Sequence, residues 1–448
     1  MILTGGAVVA SLAPVHITGN DVHVSDGRIV QDGGGERRDC SGCLIVPGNV
    51  CAHTHVYSAL ARGMPYTLEP PENFLQILQR VWWRLDRALD EESVRASALV
   101  GGMEALLSGT TTLVDHHASP NAIDGSLDVI EDALRTLGVR SILCYETSDR
   151  DGPERAQAGL RENRRFAERV RREKPPLTRG LIGAHASFTL SDETLAACAD
   201  TARELEVGLH IHAAEDAIDE RDSVVLHGIG VAARLAHAGA LNGRTLLAHG
   251  VHLDDHEIAL VHAANAFLAH NARSNMNNAV GRARLDALGL RVALGTDGIG
   301  SDMFEESRAA FFRLREDHSG SGADWPLERL SQGARFVGAA FGEPSFGRIE
   351  TGAPADLVVL EYAPPAPLNA GSFPGHWVFG LGSRTVRDVM VAGEWVVLDR
   401  RLTRADEQEL AAGARVQADR LWKRLAEIGP HEFEPRGGRR WPSPLTIE

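Results

Sequence analysis

The chain has 448 residues, 43% hydrophobic and 24% charged, an ordinary globular balance with length enough for a large catalytic unit and a smaller companion. Its net charge of −15 argues against nucleic acid or an anionic membrane as a partner. No window approaches the roughly 18 unbroken apolar residues of a membrane helix, and residues 1–6 lack the basic and apolar parts of a secretory leader, so the cytoplasm is the expected compartment.

In the first fifty residues, short alternating runs at 7–10, 22–24 and 44–46 are separated by Gly, Asp and Asn, which reads as short strands joined by tight turns. Five cysteines, at 40, 43, 51, 144 and 198, are an odd number and argue against a disulfide framework. Cys40 and Cys43 have metal or redox spacing, but no second pair completes a zinc site, so a structural role is expected.

From there to about residue 345, apolar runs of four to seven residues alternate with stretches of helical periodicity. Eight strand candidates fall at 46–52, 111–114, 141–143, 180–183, 207–211, 245–248, 266–269 and 292–295. Runs buried on both faces with helices between them are the mark of parallel βα units, and eight suggest a closed (β/α)8 barrel. The Arg-rich stretch 161–172 alternates with Glu and apolar residues at helical spacing and reads as a solvated helix face. After Ile349 strands return at 356–360 and 386–398, with Gly393 at a hairpin turn, and a helix follows over about 404–428. The expected organisation is therefore α/β. Residues 1–50 and 346–403 form a small flanking β-sandwich domain, 51–345 the barrel, and 404–448 a C-terminal helix and tail.

The chemistry collects at the ends of these runs. His53 and His55 close the first, His185 the fourth, His212 the fifth, His249 the sixth, His270 the seventh and Asp297 the eighth. All strands of such a barrel end on one face, where the active site is built. In His53-Thr54-His55 strand alternation sends both imidazoles to one side, so they can chelate one ion. His212 adds a third nitrogen and Asp297 an oxygen that offsets the charge. Three nitrogens and a carboxylate suit one divalent metal per chain, zinc first and iron(II) second, with room for a water made acidic by the ion. Glu215, three residues after His212, reaches the same pocket as a general acid/base if the chain turns there; the alternative is a helix-start carboxylate beside Asp216.

These residues resemble the amidohydrolase superfamily, in the branch of cytosine and guanine deaminases, adenosine-type deaminases and triazine hydrolases. The resemblance spans nearly the whole chain. It runs from Asp26-Gly27-Arg28-Ile29 and Val46-Pro47-Gly48-Asn49-Val50 through Gly109-Thr110-Thr111-Thr112, His212-Ala213-Ala214-Glu215, His249-Gly250-Val251 and Gly295-Thr296-Asp297. It closes on Gly352-Ala353-Pro354-Ala355-Asp356. A narrower resemblance, to SsnA-type aminohydrolases, rests on Trp82-Trp83-Arg84-Leu85-Asp86, Asp115-His116-His117-Ala118-Ser119-Pro120 and Ser274-Asn275-Met276-Asn277-Asn278.

The resemblance implies His53, His55, His212 and Asp297 as metal ligands and Glu215 as proton shuttle, with Asp297 able to take a proton from water. It implies that His249 polarises that water or stabilises an oxyanion, and that His185 contacts substrate. His270 is followed by Asn271-Ala272 where relatives often carry Cys-Pro, leaving substrate contact and packing both open. Two-metal members use a carbamylated lysine at the fourth strand; the two lysines here, Lys174 and Lys423, lie elsewhere and His185 takes that position, which implies one metal. An HxHxDH site of the metallo-β-lactamase type also fails, because Val56-Tyr57-Ser58 follows His55.

Loops that line a barrel mouth add His116, His117, Glu146, Ser148, Asp149 and Arg150 as candidates for substrate contact, with exposed polar loops as the alternative. Trp82 and Trp83 are candidates for stacking on a flat substrate or for the core. The leading function is hydrolytic deamination of an aminated purine, pyrimidine, pteridine or triazine. Cyclic amide hydrolysis or dechlorination follows, then a non-catalytic metal-binding protein. The expected partner is a small heterocyclic substrate, and a homo-oligomer, by analogy a dimer, is expected.

Overall fold

Strands that are apolar along their whole length must be covered on both faces, and they form the centre of this molecule. The computed structural model describes residues 1–289, 291–316 and 320–437. Its central strands are β1 (Asn49–Thr54), β2 (Thr110–His117), β3 (Arg140–Tyr145), β4 (Thr178–Gly180), β5 (Ile182–Ala186), β6 (Leu209–Ala213), β7 (Leu246–His249), β8 (Phe267–His270) and β9 (Val292–Leu294). They pair in parallel in two sheets, β4-β3-β2-β1 and β5-β6-β7-β8-β9. At one seam Thr147 bridges Ala184, and at the other Thr54 bridges Asp297, both in parallel. The second seam is reinforced where Thr296 and Asp297 donate their backbone N–H groups to His53 O at 2.8 and 3.1 Å.

Two expected runs are divided. The run at 46–52 breaks at Gly48: Cys43–Pro47 belongs to a different sheet, and only Asn49 onward enters β1. Gly48 donates to Asp356 O at 2.9 Å, and a Cβ there would lie 2.3 Å from Thr111 Oγ1, so only glycine fits this crossing. The run at 180–183 divides between β4, which pairs with β3, and β5, which pairs with β6.

Amphipathic helices cover the strands. In Ser126–Leu137, Leu127, Ile130, Leu134 and Leu137 recur at three- and four-residue spacing and are buried, and Gly138 closes the helix at φ +85°. Pro153–Glu173 carries the Arg-rich stretch as a solvated face, with Arg165 paired to Glu162 and Arg164 to Glu204.

Both ends of the chain build the remaining sheets. One has seven strands in the order Arg401–Leu402, Glu394–Leu398, Val386–Val391, Leu357–Glu361, Cys43–Pro47, Ala7–Leu12, Val15–Thr18, with Gly393 turning the hairpin at φ +80°. The other has four, from Ile2–Thr4, Val22–Ser25, Arg28–Val30 and Arg37–Asp39. Arg140 of β3 makes a buried two-pronged bond to Asp356 (2.7 and 2.9 Å), tying the parallel strands to the returning chain. Helix Glu407–Glu427 then packs through Leu421 and Leu425. All five cysteines are free and buried, and no helix among the described residues is long and apolar enough to cross a membrane.

Candidate metal and catalytic site

The parallel strands deliver their C-terminal ends to one place. His53 lies in β1 with His55 just beyond it, His212 in β6, and Asp297 three residues after β9. One ligand atom from each lies within 4.8 Å of every other. Asp297 Oδ1 is 2.9 Å from His55 Nε2 and 3.6 Å from His53 Nε2, while the Nε2 atoms of His55 and His212 are 3.1 Å apart.

The opposite nitrogens of these rings are engaged. His55 Nδ1 donates to His116 O at 2.5 Å and His212 Nδ1 to His185 O at 2.9 Å. His53 Nδ1 lies 2.9 Å from His210 Nε2. His210 Nδ1 faces Cys144 Sγ at 3.6 Å, and the Cys144 thiol donates to Asp115 O. That chain puts the His53 hydrogen on Nδ1 and leaves Nε2 bare. His53 Nε2 is buried and has no hydrogen-bond partner, an arrangement that costs free energy unless something electrophilic occupies the gap. Three bare imidazole nitrogens and one carboxylate, each oriented from behind, fit a divalent cation.

Burial drives His53 down to about 3, against the opposing pull of Asp297. Burial also works to lower His55, but hydrogen bonding and charge from Asp297 outweigh it and raise it to about 9. The Asp297 carboxyl is held well below the usual range because the adjoining imidazoles of His53 and His55 outweigh its burial. Ser274 Oγ donates to its other oxygen, Oδ2.

Glu215 and His249 stand beside this cluster. Glu215 Oε2 is 3.4 Å from His249 Nε2, and Asn278 Nδ2 donates to Oε1 at 3.3 Å. His249 Nδ1 donates to Asn275 Oδ1 at 2.8 Å, so its Nε2 is bare. Burial, and then the charge of Asp297, push the Glu215 carboxyl well above its usual range. A protonated Glu215 can therefore face the bare imidazole nitrogen. Ala214, His249 and Asp297 hold φ of 51, 75 and 54°, left-handed values that non-glycine residues adopt rarely.

A narrow cleft opens over the cluster, lined by Tyr57, Trp82, Trp83, Glu146, His185 and Phe188 together with Glu215 and Asp297. His185 thus reaches the cleft. Glu146, Trp82 and Trp83, also expected, line it too, whereas His116 and His117 are fully buried and Arg150 is held by Asp86 (2.6 Å) and Glu146 (2.8 Å). His270 is buried, with no hydrogen bond to either ring nitrogen among the described residues. His210, Ser274, Asn275 and Asn278 support the site without having been given a role from sequence. The available signal was the second HxH, His210-Ile211-His212, on one strand face, and the three-residue spacing of Asn275 and Asn278.

A model of the amidohydrolase family matches residues 44–396, most of the chain and all of the site. The chain belongs to that family. This amidohydrolase is 31% identical over 386 residues to the 5'-deoxyadenosine deaminase of Methanopyrus kandleri, covering 84% of this chain and 86% of that one. It is also 31% identical over 448 residues to the 5-methylthioadenosine/S-adenosylhomocysteine deaminase of Desulforudis audaxviator, covering 95% and 99%. Among solved structures, an adenosine deaminase from Xanthomonas campestris with bound zinc superposes with a TM-score of 0.83 at 25% identity, over 94% and 98% of the two chains.

Proposed function

We propose that this amidohydrolase is a hydrolytic deaminase of aminated nitrogen heterocycles, dependent on one divalent metal, zinc ahead of iron(II), held by His53, His55, His212 and Asp297. The carrying observation is the convergence of these four groups, with each histidine's Nδ1 engaged behind it, beside the buried carboxyl of Glu215. In this reading the two parallel sheets close at their Thr54–Asp297 and Thr147–Ala184 seams into a (β/α)8 barrel, with residues 1–47 and 346–403 as a flanking β domain and 404–437 as an appended segment, the rest of the expected tail lying outside the described residues.

The metal, when bound, supplies the Lewis acidity that makes water nucleophilic near neutral pH. Asp297, ionised and turned toward the cluster, accepts one proton from the attacking water. Glu215 gives its proton to the ring nitrogen beside the reacting carbon, and that carbon, now bearing oxygen, loses its amino group. The proton that Asp297 gathered leaves with the amine as ammonia, and the proton remaining on the new oxygen returns to Glu215, so water and the amino compound become the oxo compound and ammonia. His249, fixed through Asn275, turns its bare nitrogen toward the water and the developing charge. His185 contacts the ring from the opposite wall.

An amine must be protonated to leave and a chloride need not be, so Glu215 and the deaminase names of the relatives both favour ammonia as the leaving group. The test is ammonia release from aminated purines, pyrimidines, pteridines and triazines by metal-loaded protein, with bound metal quantified.

A further inference from the structure

Beyond helix Glu407–Glu427 the chain runs against the segment that carries Trp82 and Trp83. Arg84 donates to Leu425 O and Ile428 O at 2.8 and 2.7 Å, and Arg87 to Gly429 O at 3.0 Å. Residues 431–437 then grip that segment. His431 N donates to Gln79 O at 2.8 Å, and Gln79 Nε2 donates to Phe433 O and Glu434 Oε1 at 2.8 and 3.0 Å. Phe433 N donates to His431 Nδ1 at 3.0 Å, which leaves His431 Nε2 to donate to Asp151 Oδ1 at 3.3 Å. The rings of His431 and Phe433 stand edge-to-face with Trp83, their centroids 5.2 and 5.7 Å from it, and Phe433 also reaches Phe188 at 6.5 Å. Finally Gly437 N donates to Asp222 Oδ1 at 2.6 Å, in helix Ala217–His227, which begins just after Glu215 and Asp216. The C-terminal segment therefore ties two sides of the cleft together.

The segment it holds closes on the site. Leu78, Trp82 and Trp83 line the cleft, and a Cβ on Gly298, the residue after Asp297, would lie 2.6 Å from Trp82 Cη2. Trp83 N donates to Leu78 O, five residues back. Such wide π-type turns inside helices recur at functional sites. Gln79 sits in this turn, so the bonds that hold the C-terminal segment also hold the wall.

We infer that residues 431–437 are a positioning strap: through Gln79 and Phe433 they fix Trp82 and Trp83 at a spacing from the metal cluster that admits a flat free base and excludes its nucleoside. This rests on the deaminase reading above and names its substrate class, setting this chain apart from relatives named for nucleosides. A wall fixed in advance spares a bound base the cost of ordering side chains. A sugar would have to push that wall aside and would press its hydroxyls against Phe74, Leu78 and Phe188, which offer them no hydrogen bond.

The test is binding rather than turnover. In metal-loaded Glu215→Gln, dissociation constants are measured for adenine against adenosine and for cytosine against cytidine. The expected result is a base bound at least about tenfold tighter than its nucleoside in one pair or both. Phe433→Ala and Gln79→Ala, each added to this background, should bring that ratio below about threefold with metal content unchanged. Phe433→Tyr, which keeps the ring against Trp83, should preserve it, an outcome that separates positioning from a general loss of structure. Gln79→Ala decides the matter if Phe433→Ala does not fold. Equal affinities within both pairs, tighter binding of a nucleoside, no binding by any of the four, or a ratio that survives both alanine variants would overturn the inference. A preference that collapses in the variants, with no ammonia released by the Glu215 enzyme, would instead remove the deaminase reading and leave the strap standing. Ammonia released equally well from bases and nucleosides would keep the deaminase reading and overturn the strap.

Discussion

His53 hands its Nδ1 hydrogen to His210 Nε2 across 2.9 Å, so one imidazole sets which nitrogen of another faces the ligand cluster. Orienting partners of this kind are worth roughly 10–100-fold in metal affinity or activity. His210→Ala should weaken metal binding by about that factor in a chelator-competition titration, with the secondary structure retained. Unchanged affinity would show that packing alone orients His53.

Metal removal should cost folding stability. Without a cation the Nε2 atoms of His55 and His212 face each other at 3.1 Å, and His53 Nε2 has no partner. Ligand linkage gives about 4 kcal/mol when free metal exceeds its dissociation constant roughly 1,000-fold. Chelated protein should melt several degrees lower and recover on adding zinc. An identical melt would place no ion among these residues.

The convergence of these four residues was legible in the sequence because strand alternation and strand-end position constrain them: His53 lies near the end of β1 with His55 just beyond it, and Asp297 follows the last apolar run. Their supports were not. Asn275 and Asn278 belong to a short helical segment whose position over Glu215 and His249 depends on how β8 and the following chain pack, and periodicity carries no such information. Arg150 illustrates the same limit. A charged residue after a strand reads as a contact at the cleft, yet Asp86, from a distant helix, draws it behind Glu146. The first apolar run hid its break because Gly48 changes sheets within an unbroken apolar sequence.

The buried Arg140–Asp356 pair joins β3 to the returning chain, and Asp356 Oδ1 also accepts from Ala392 N at 2.8 Å. Arg140→Met leaves a buried carboxylate without its cation, a change worth about 3–5 kcal/mol. Urea unfolding should show a loss of that size, and a loss under about 1 kcal/mol would mean the pair is solvated.

Glu220 is raised from 4.5 to about 9, by burial first and then by the charge of Glu257. A folded value above the unfolded one means that the folded state favours the proton. The stability this contributes is full below about 4.5 and is lost as pH rises through 9. Glu220→Gln keeps an acceptor for Val231 N and removes the titration. The variant should therefore gain on wild type steadily as pH rises across that window in denaturant midpoints. A pH-independent difference would show that Glu220 is not the titrating group.

The central claim is that this metal cluster and Glu215 together remove an amino group from a heterocycle. Ammonia release by metal-loaded wild type, measured beside metal-loaded Glu215→Gln, tests it most directly. The account predicts release by wild type, a loss of about 10²-fold or more in the variant, and equal metal in both. Absence of release across the panel with about one metal bound per chain, or full activity in Glu215→Gln, would contradict it.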